Sequence, residues 1–307
     1  MKEILLFCYN LHMQTITIQP SSLDKFTAYL QKQDRAPKTI QGYISDLESF
    51  ARWFHQSNGE KLTDKNLTPT DVREYRQWLV GRDAAPSTIN RHLATLRIFA
   101  QWSGNAITVK GVEEQSLAPR WLDRKEQAAL VRETEKAINA ARTEAAKIQG
   151  LRDRSVIVLL LNSGLRISEL CDLSINAVEL SERKGKLIIR QGKGSKKREI
   201  PLNGPAREAL KDWMKVRTKS DAIFVGKRGD RLSPSGVYRR LAELARRANI
   251  KDVSPHILRH TFAKNLVDAG VGLERVATLL GHSNLNTTRI YTTPGARDLE
   301  NAVAKLE

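Results

Sequence analysis

Residues 254–263 read SPHILRHTFA. Ser254 offers a side-chain acceptor just ahead of Pro255, and proline at a first helical position gives up only an N–H that has no intrahelical partner. A helix is therefore expected from 255 to about 268, with Gly270 or Gly272 stopping it. On that helix His256 and Arg259 stand three positions apart and share a face. The first-turn N–H groups also lie open to an anion. Alone, H-x-x-R reads equally well as a surface pair without a role. His260, four positions from His256, raises the question of zinc. A zinc-protease helix needs Glu beside the first His, where Ile257 stands, and no carboxylate or thiol ligand set is evident elsewhere. No metal is expected.

Working outward from this helix, more cationic groups and one phenol come into view. Upstream, 163–170 read SGLRISEL, in which Gly164 is expected as the left-handed residue closing a buried helix over 153–162. Arg166 opens the next helix, with Glu169 placed to orient its guanidinium. That planar fork matches two non-bridging phosphate oxygens, which a lysine cannot do. Next comes a hairpin: 185–191 (GKLIIRQ) and 197–202 (KREIPL) read as strands and 192–196 as the turn. Lys193 lies at its tip between two glycines, where a mobile ammonium can protonate a leaving oxygen. Arg190, Lys196, Lys197 and Arg198 are expected to position phosphates, alongside Arg183, Lys184 and Lys186. Downstream, a short helix 273–280 ends at Gly281, His282 follows, and Tyr291 lies nine residues on. A phenol with an ordinary pKa of about 10 is a poor nucleophile at neutral pH unless arginines stabilise the phenolate and a histidine shares its proton.

The first third is helical throughout. Tyr43, Leu47, Phe50 and Phe54 form one apolar stripe, and Ile89, Leu93, Leu96 and Ala100 another. Pro37, Pro69 and Pro86 each begin a helix. Four helices are expected, at about 22–33, 37–56, 69–80 and 86–102, with their aromatic residues in the core. Residues 1–20 read as a loose extension, with Met13 as an alternative start. Residues 21–104 are expected to form one helical domain, 105–120 a linker and 121–307 a second domain. Within the last, about 123–149 reads as a helix pair with one solvated face. Helices are also expected at about 204–217, 234–248 and from 295 onward.

The 307 residues carry a formal net charge of +17, which points to a polyanionic partner. Cys8 and Cys171, far apart, suggest no disulfide framework and a reducing compartment. No apolar run is long enough for a bilayer, so a cytoplasmic protein at the nucleoid is expected.

Taken in order, Arg166, Lys193, His256, Arg259, His282 and Tyr291 stand in the contexts SGLRISEL, GKGSKKREIPL, SPHILRHTFA and LLGHSNLNTTRIYT. In these motifs the chain resembles the tyrosine recombinases, or phage integrase family, over about 21–307, and is most similar to their simpler Xer-like members. The stretch 133–149 is longer than usual for that group. The resemblance implies a mostly α fold with a small β component: an all-helical SAM-like, DNA-binding domain over 21–104 and a mixed α/β catalytic domain with a hairpin over 121–307, clamped around double-stranded DNA at an inverted-repeat site. It implies Tyr291 as nucleophile forming a 3′-phosphotyrosyl link, Lys193 protonating the leaving 5′ oxygen, and Arg166 and Arg259 on the non-bridging oxygens. It also implies His256 in proton transfer with the tyrosine, His282 on the phosphate, and Glu169 and His260 in support. Four protomers would exchange strands through a Holliday junction, with Ala296–Leu306 docking on a neighbour and accessory proteins as further partners. No cofactor is implied. The task would be resolution of dimers or cointegrates, or integration and excision of a mobile element. A type IB topoisomerase-like enzyme and a non-catalytic DNA-binding protein are the alternatives.

Overall fold

The computed structural model describes residues 17–105, 107–113, 119–191, 196–226, 229–282 and 284–292. The chain divides into two compact units, Met1–Gln115 and Ser116–Glu307. The described residues are mostly helical with one small antiparallel sheet, as expected.

Among the described residues of the first unit, four helices follow one another: α1 Pro20–Lys32, α2 Pro37–Asn58, α3 Pro69–Gly81 and α4 Pro86–Trp102. Each begins with proline at its first position. Thr68 and Asp71 add a capping box at α3. Both apolar stripes turn inward: Leu47, Phe50 and Phe54 on α2 meet Ile89, Leu93, Leu96 and Ala100 on α4 in one buried cluster. Phe26 and Phe99 meet edge to face, as do Phe50 and Tyr75. The segment before α1 is not wholly loose. Ile18 is buried and bridges Leu62, and the Gln19 N–H donates to the Leu62 carbonyl at 2.9 Å. Those bonds close the α2–α3 connection, a long-range pairing that local pattern does not reveal.

The second unit contains α5 Arg124–Asn139, α6 Glu144–Ser163, α7 Ile167–Asp172, strands β1 Val178–Leu180, β2 Gly185–Gln191 and β3 Lys196–Pro201, then α8 Gly204–Val216, α9 Pro234–Arg247, α10 Pro255–Asp268, α11 Leu273–Leu280 and α12 Asn286–Arg289. A 3₁₀ turn, Ile290–Thr292, follows. The sequence reading split α6 in two, at 149 and 153. The backbone instead runs straight through; what changes there is the pattern, from an Ala- and Lys-rich amphipathic start to the wholly buried run Val156–Leu161. This run is the spine of the unit's core, with α8 against it through Leu210 and Trp213. The sheet has order β1-β2-β3; β1, three residues long, was not foreseen. In the β2–β3 pair Leu187 faces Ile200 and Ile189 faces Arg198. The expected final helix lies outside the described residues. Among the described residues no helix is long and apolar enough to cross a membrane.

Candidate active site

Four segments of the second unit deliver the site. The first is α10. The Ser254 side chain accepts from the Ile257 N–H at 3.3 Å and Pro255 leads the first turn, so the helix starts as its sequence requires. It presents His256, Arg259 and His260. The second is the turn between α6 and α7. Gly164, with φ of 61°, caps α6, and Arg166 is the residue just ahead of α7. The third is the end of α11, where Gly281 caps the helix and His282 follows. The fourth is the 3₁₀ turn carrying Tyr291.

Arg259 is 3% exposed. Its two Nη groups donate to the Gly164 carbonyl at 2.5 Å and the Leu280 carbonyl at 2.7 Å. Arg166 donates from Nη2 to the Gly281 carbonyl at 3.1 Å. The guanidiniums are thus held at the carbonyl ends of α6 and α11, the negative ends of those helix dipoles. Burial, and then the charge of Arg166, lowers Arg259 to about 10, so it stays cationic at neutral pH.

Glu169 holds Arg166 as expected: Nη1 donates to Oε1 at 2.9 Å and the Arg166 N–H to Oε2 at 2.8 Å. Arg198 lies elsewhere than expected. It is not on the surface with Arg190 and Lys197, the residues with which it was grouped. Its side chain is 8% exposed, and it forks onto both Glu169 oxygens at 2.9 and 2.7 Å. The reason is the strand period: Arg198 and Ile200 point inward, while Lys197 and Glu199 point to solvent. Burial would raise the Glu169 carboxyl, but hydrogen bonds from Arg198, then from the Arg166 N–H, hold it down at about 2. Arg190 and Lys197 are exposed, and Lys197 pairs with Glu199 at 3.1 Å. Lys193 lies outside the described residues, and Lys196 is described in its backbone only.

The histidine bonded to the tyrosine is His260, not His256. His260 Nδ1 lies 2.8 Å from the Tyr291 hydroxyl, and His256 packs edge-on to His260 with ring centres 4.2 Å apart. The 3.6-residue period had already put His256 and His260 on one face; which of them meets Tyr291 depends on where the final turn packs. His282 Nδ1 is bonded to the buried Thr288 hydroxyl at 3.0 Å, a partner the sequence reading missed. Burial is the largest cause in lowering all three histidines. His260 and His282 fall to about 4, helped chiefly by His256 in the first case and by Arg259 in the second. His256, exposed at the mouth, is lowered by partial desolvation and then by Arg259 and Arg166. Near neutral pH, then, the imidazoles are uncharged and two guanidiniums carry the positive charge. Tyr291, 2% exposed, is raised by burial, with Arg259 pulling the other way. It is a protonated phenol beside a neutral imidazole, an arrangement able to pass a proton as a nucleophile attacks.

A cleft of about 830 Å³ is lined by Arg166, His256, Arg259, His260, His282 and Tyr291. Tyr238 of α9, 46% exposed, lines it too and was not foreseen. A second cleft, of about 710 Å³, shares Arg166 and Ser168 and reaches Arg190. Among the described residues no three His, Cys, Asp or Glu side chains gather as metal ligands.

Residues 121–297 match the model of the phage integrase family, and residues 23–105 match that of the phage integrase N-terminal SAM-like domain. Tyrosine recombinase XerA of Pyrococcus furiosus is 42% identical over 159 residues, 50% of this chain and 54% of that protein. Tyrosine recombinase XerC of Bacillus subtilis is 40% identical over 162 residues, 50% of this chain and 52% of that protein. The chain spans about half the length of the curated relatives it matches. The crystal structure of the XerH site-specific recombinase bound to palindromic difH substrate, a post-cleavage complex, shares the fold with a TM-score of 0.73 at 23% identity, covering 91% of this chain and 84% of that one.

Proposed function

Because the chain belongs to the phage integrase family, we propose that it is a site-specific tyrosine recombinase acting on double-stranded DNA. One observation carries this reading: two guanidiniums, three neutral imidazoles and one phenol line a single cleft of a single chain. The Tyr291 oxygen attacks a backbone phosphorus while its proton passes to His260. The P–O5′ bond breaks as the P–O bond to tyrosine forms, and Lys193 protonates the departing 5′ oxygen. Arg166 and Arg259 balance the charge that grows on the non-bridging oxygens, where preorganised donors contribute about 10²–10³ in rate each. His282, its Nδ1 engaged by Thr288, has Nε2 for the phosphate. His256 relays the proton onward from His260. Attack by a 5′-hydroxyl from another duplex reverses the chemistry and releases Tyr291, so bond energy is conserved through a Holliday junction formed by four protomers.

DNA as the partner is supported by the net charge of +17 and by similar structures solved on DNA, among them XerH on its difH substrate and a lambda integrase dimer on a COC' core site. The first unit and the exposed Arg190 and Lys197 would add phosphate contacts.

The test is a duplex selected by the protein from a random pool, nicked beside the cleavage position so that the short fragment carrying the freed 5′-hydroxyl is lost. The wild type is expected to form an adduct that survives denaturation, and Tyr291→Phe none. An adduct with Tyr291→Phe would falsify the assignment of the nucleophile. A footprint confined to one inverted repeat separates a recombinase from a type IB topoisomerase-like relaxing enzyme.

A further inference from the structure

Resting on that reading, we propose that Arg198 is a positioning residue, whose buried charge cancels that of Glu169 so that Arg166 keeps its own for the phosphate. The Glu169 carboxylate receives four donations, two on each oxygen: from Arg166 Nη1 and Arg198 Nη1 on Oε1, and from the Arg166 N–H and Arg198 Nη2 on Oε2. A carboxylate has about four acceptor sites, so it is saturated. The charges of Arg166, Arg198 and Glu169 sum to one positive unit. Without Arg198 the sum is zero. Arg166 then forms a closed pair with a half-buried carboxylate whose spare lone pairs draw the guanidinium away from the cleft.

Arg198 also joins segments that the chain brings from far apart. It sits on β3, the strand that follows Lys193 in the chain, and its Nε donates to the Leu279 carbonyl at 3.1 Å, two residues before Gly281 and three before His282. Through one side chain, the hairpin, the start of α7 and the end of α11 are held in register. Its inward side chain, nearly closed to solvent, makes it a poor direct ligand for DNA.

The test uses the full-length chain and the nicked duplex described above. Arg198→Met is expected to lower the adduct rate at saturating DNA about 10²-fold, the scale of a small misplacement of a reacting group. DNA affinity should stay within about threefold, with the salt slope unchanged, because no phosphate contact is lost. Adding Glu169→Gln should restore at least about tenfold of the rate, since an amide keeps the shape and removes the surplus charge. An Arg198→Met rate equal to wild type overturns the proposal. So does a loss of affinity with a salt slope smaller by about one contact, which would make Arg198 a phosphate ligand. A double variant no faster than the single one also overturns it, leaving Arg198 merely structural. If Arg198→Met fails to fold, Arg198→Lys keeps the charge but loses the fork. Because the cancelling charge is kept, it is expected to stay within about tenfold of the wild-type rate at unchanged affinity, and a fall of about 10²-fold, as large as that expected for Arg198→Met, would refute the charge account. Absence of any adduct with the wild type would instead refute the recombinase reading.

Discussion

The two units solve the problem of burial in opposite ways. In the first, the interior is mainly apolar and aromatic, with one small polar cluster of Asp46, His92 and Thr95 inside it: Phe26, Phe50, Tyr75 and Phe99 are at most 1% exposed and meet edge to face. In the second, the apolar spine of α6 ends at a region that buries Arg259 and Arg198 and crowds three histidines around them. Taking a guanidinium out of water opposes folding by several kcal/mol unless every donor is matched. The match comes from the carbonyl ends of α6 and α11 and from one carboxylate. The difference teaches that the first unit is organised for shape and the second, near its cleft, for charge. Like charges held close and dry are a poor way to stabilise a fold and a good way to meet a phosphate.

That contrast can be broken at its apolar end. Phe50→Ala is expected to destabilise the first unit by about 3–5 kcal/mol, the range for truncating a fully buried ring. Site affinity should weaken, while the adduct rate of the DNA-bound protein is retained. Melting followed by single-turnover kinetics checks both; a fall in bound-state rate equal to the fall in affinity would remove the division of labour.

Two glycines sharpen it. Gly59 and Gly164 both close helices with positive φ, 73° and 61°. A Cβ on Gly59 would meet nothing within 4 Å, whereas on Gly164 it would lie 2.4 Å from Phe262 and 2.8 Å from Leu280. Gly59→Ala is expected to lose only the backbone term, about 1–2 kcal/mol. Gly164→Ala should add about 1–3 kcal/mol of overpacking and slow adduct formation, because the Gly164 carbonyl holds Arg259. Equal melting shifts and equal rates for the two variants would contradict this.

The smallest effect is with pH. His260 and His282 sit near 4 in the folded chain and near 6.5 once exposed by unfolding, so between those values the unfolded state binds more protons. Their contribution to stability is present above about 6.5 and is lost as pH falls toward 4. Arg166, Arg198, Arg259, His256 and Tyr291 are the charged and titratable groups against them. Because the imidazoles are coupled, the transition belongs to the cluster. Hydrogen exchange is expected to show residues 119–292 losing protection faster than 17–105 between pH 7 and 5, and His260→Asn should flatten the difference. Parallel losses in both units would count against a charge-built second unit.

Much of this was legible in the chain. Proline starts, caps and 3.6-residue stripes marked α1 to α4, and Ser254–Pro255 marked α10. β1 escaped notice because three residues are too few for an alternation to register. Arg198 was legible in principle, since alternation with Ile200 puts it on the inner face, but its place in a run of lysines made it read as surface. Thr288 and Tyr238 had no local signal; they matter only through what packs beside them.

By itself the sequence determined most of the helical elements, the net charge of +17 and the identities of the groups that meet in the cleft, because periodicity, caps and charge are local properties. Tertiary structure alone decided that His260 faces Tyr291, that Thr288 holds His282 and that Glu169 joins Arg166 to Arg198. Those pairings span 31, 6 and up to 29 residues along the chain. Except across the short Thr288 turn, no local rule reaches so far; the packing of α10, α11, β3 and the final turn does.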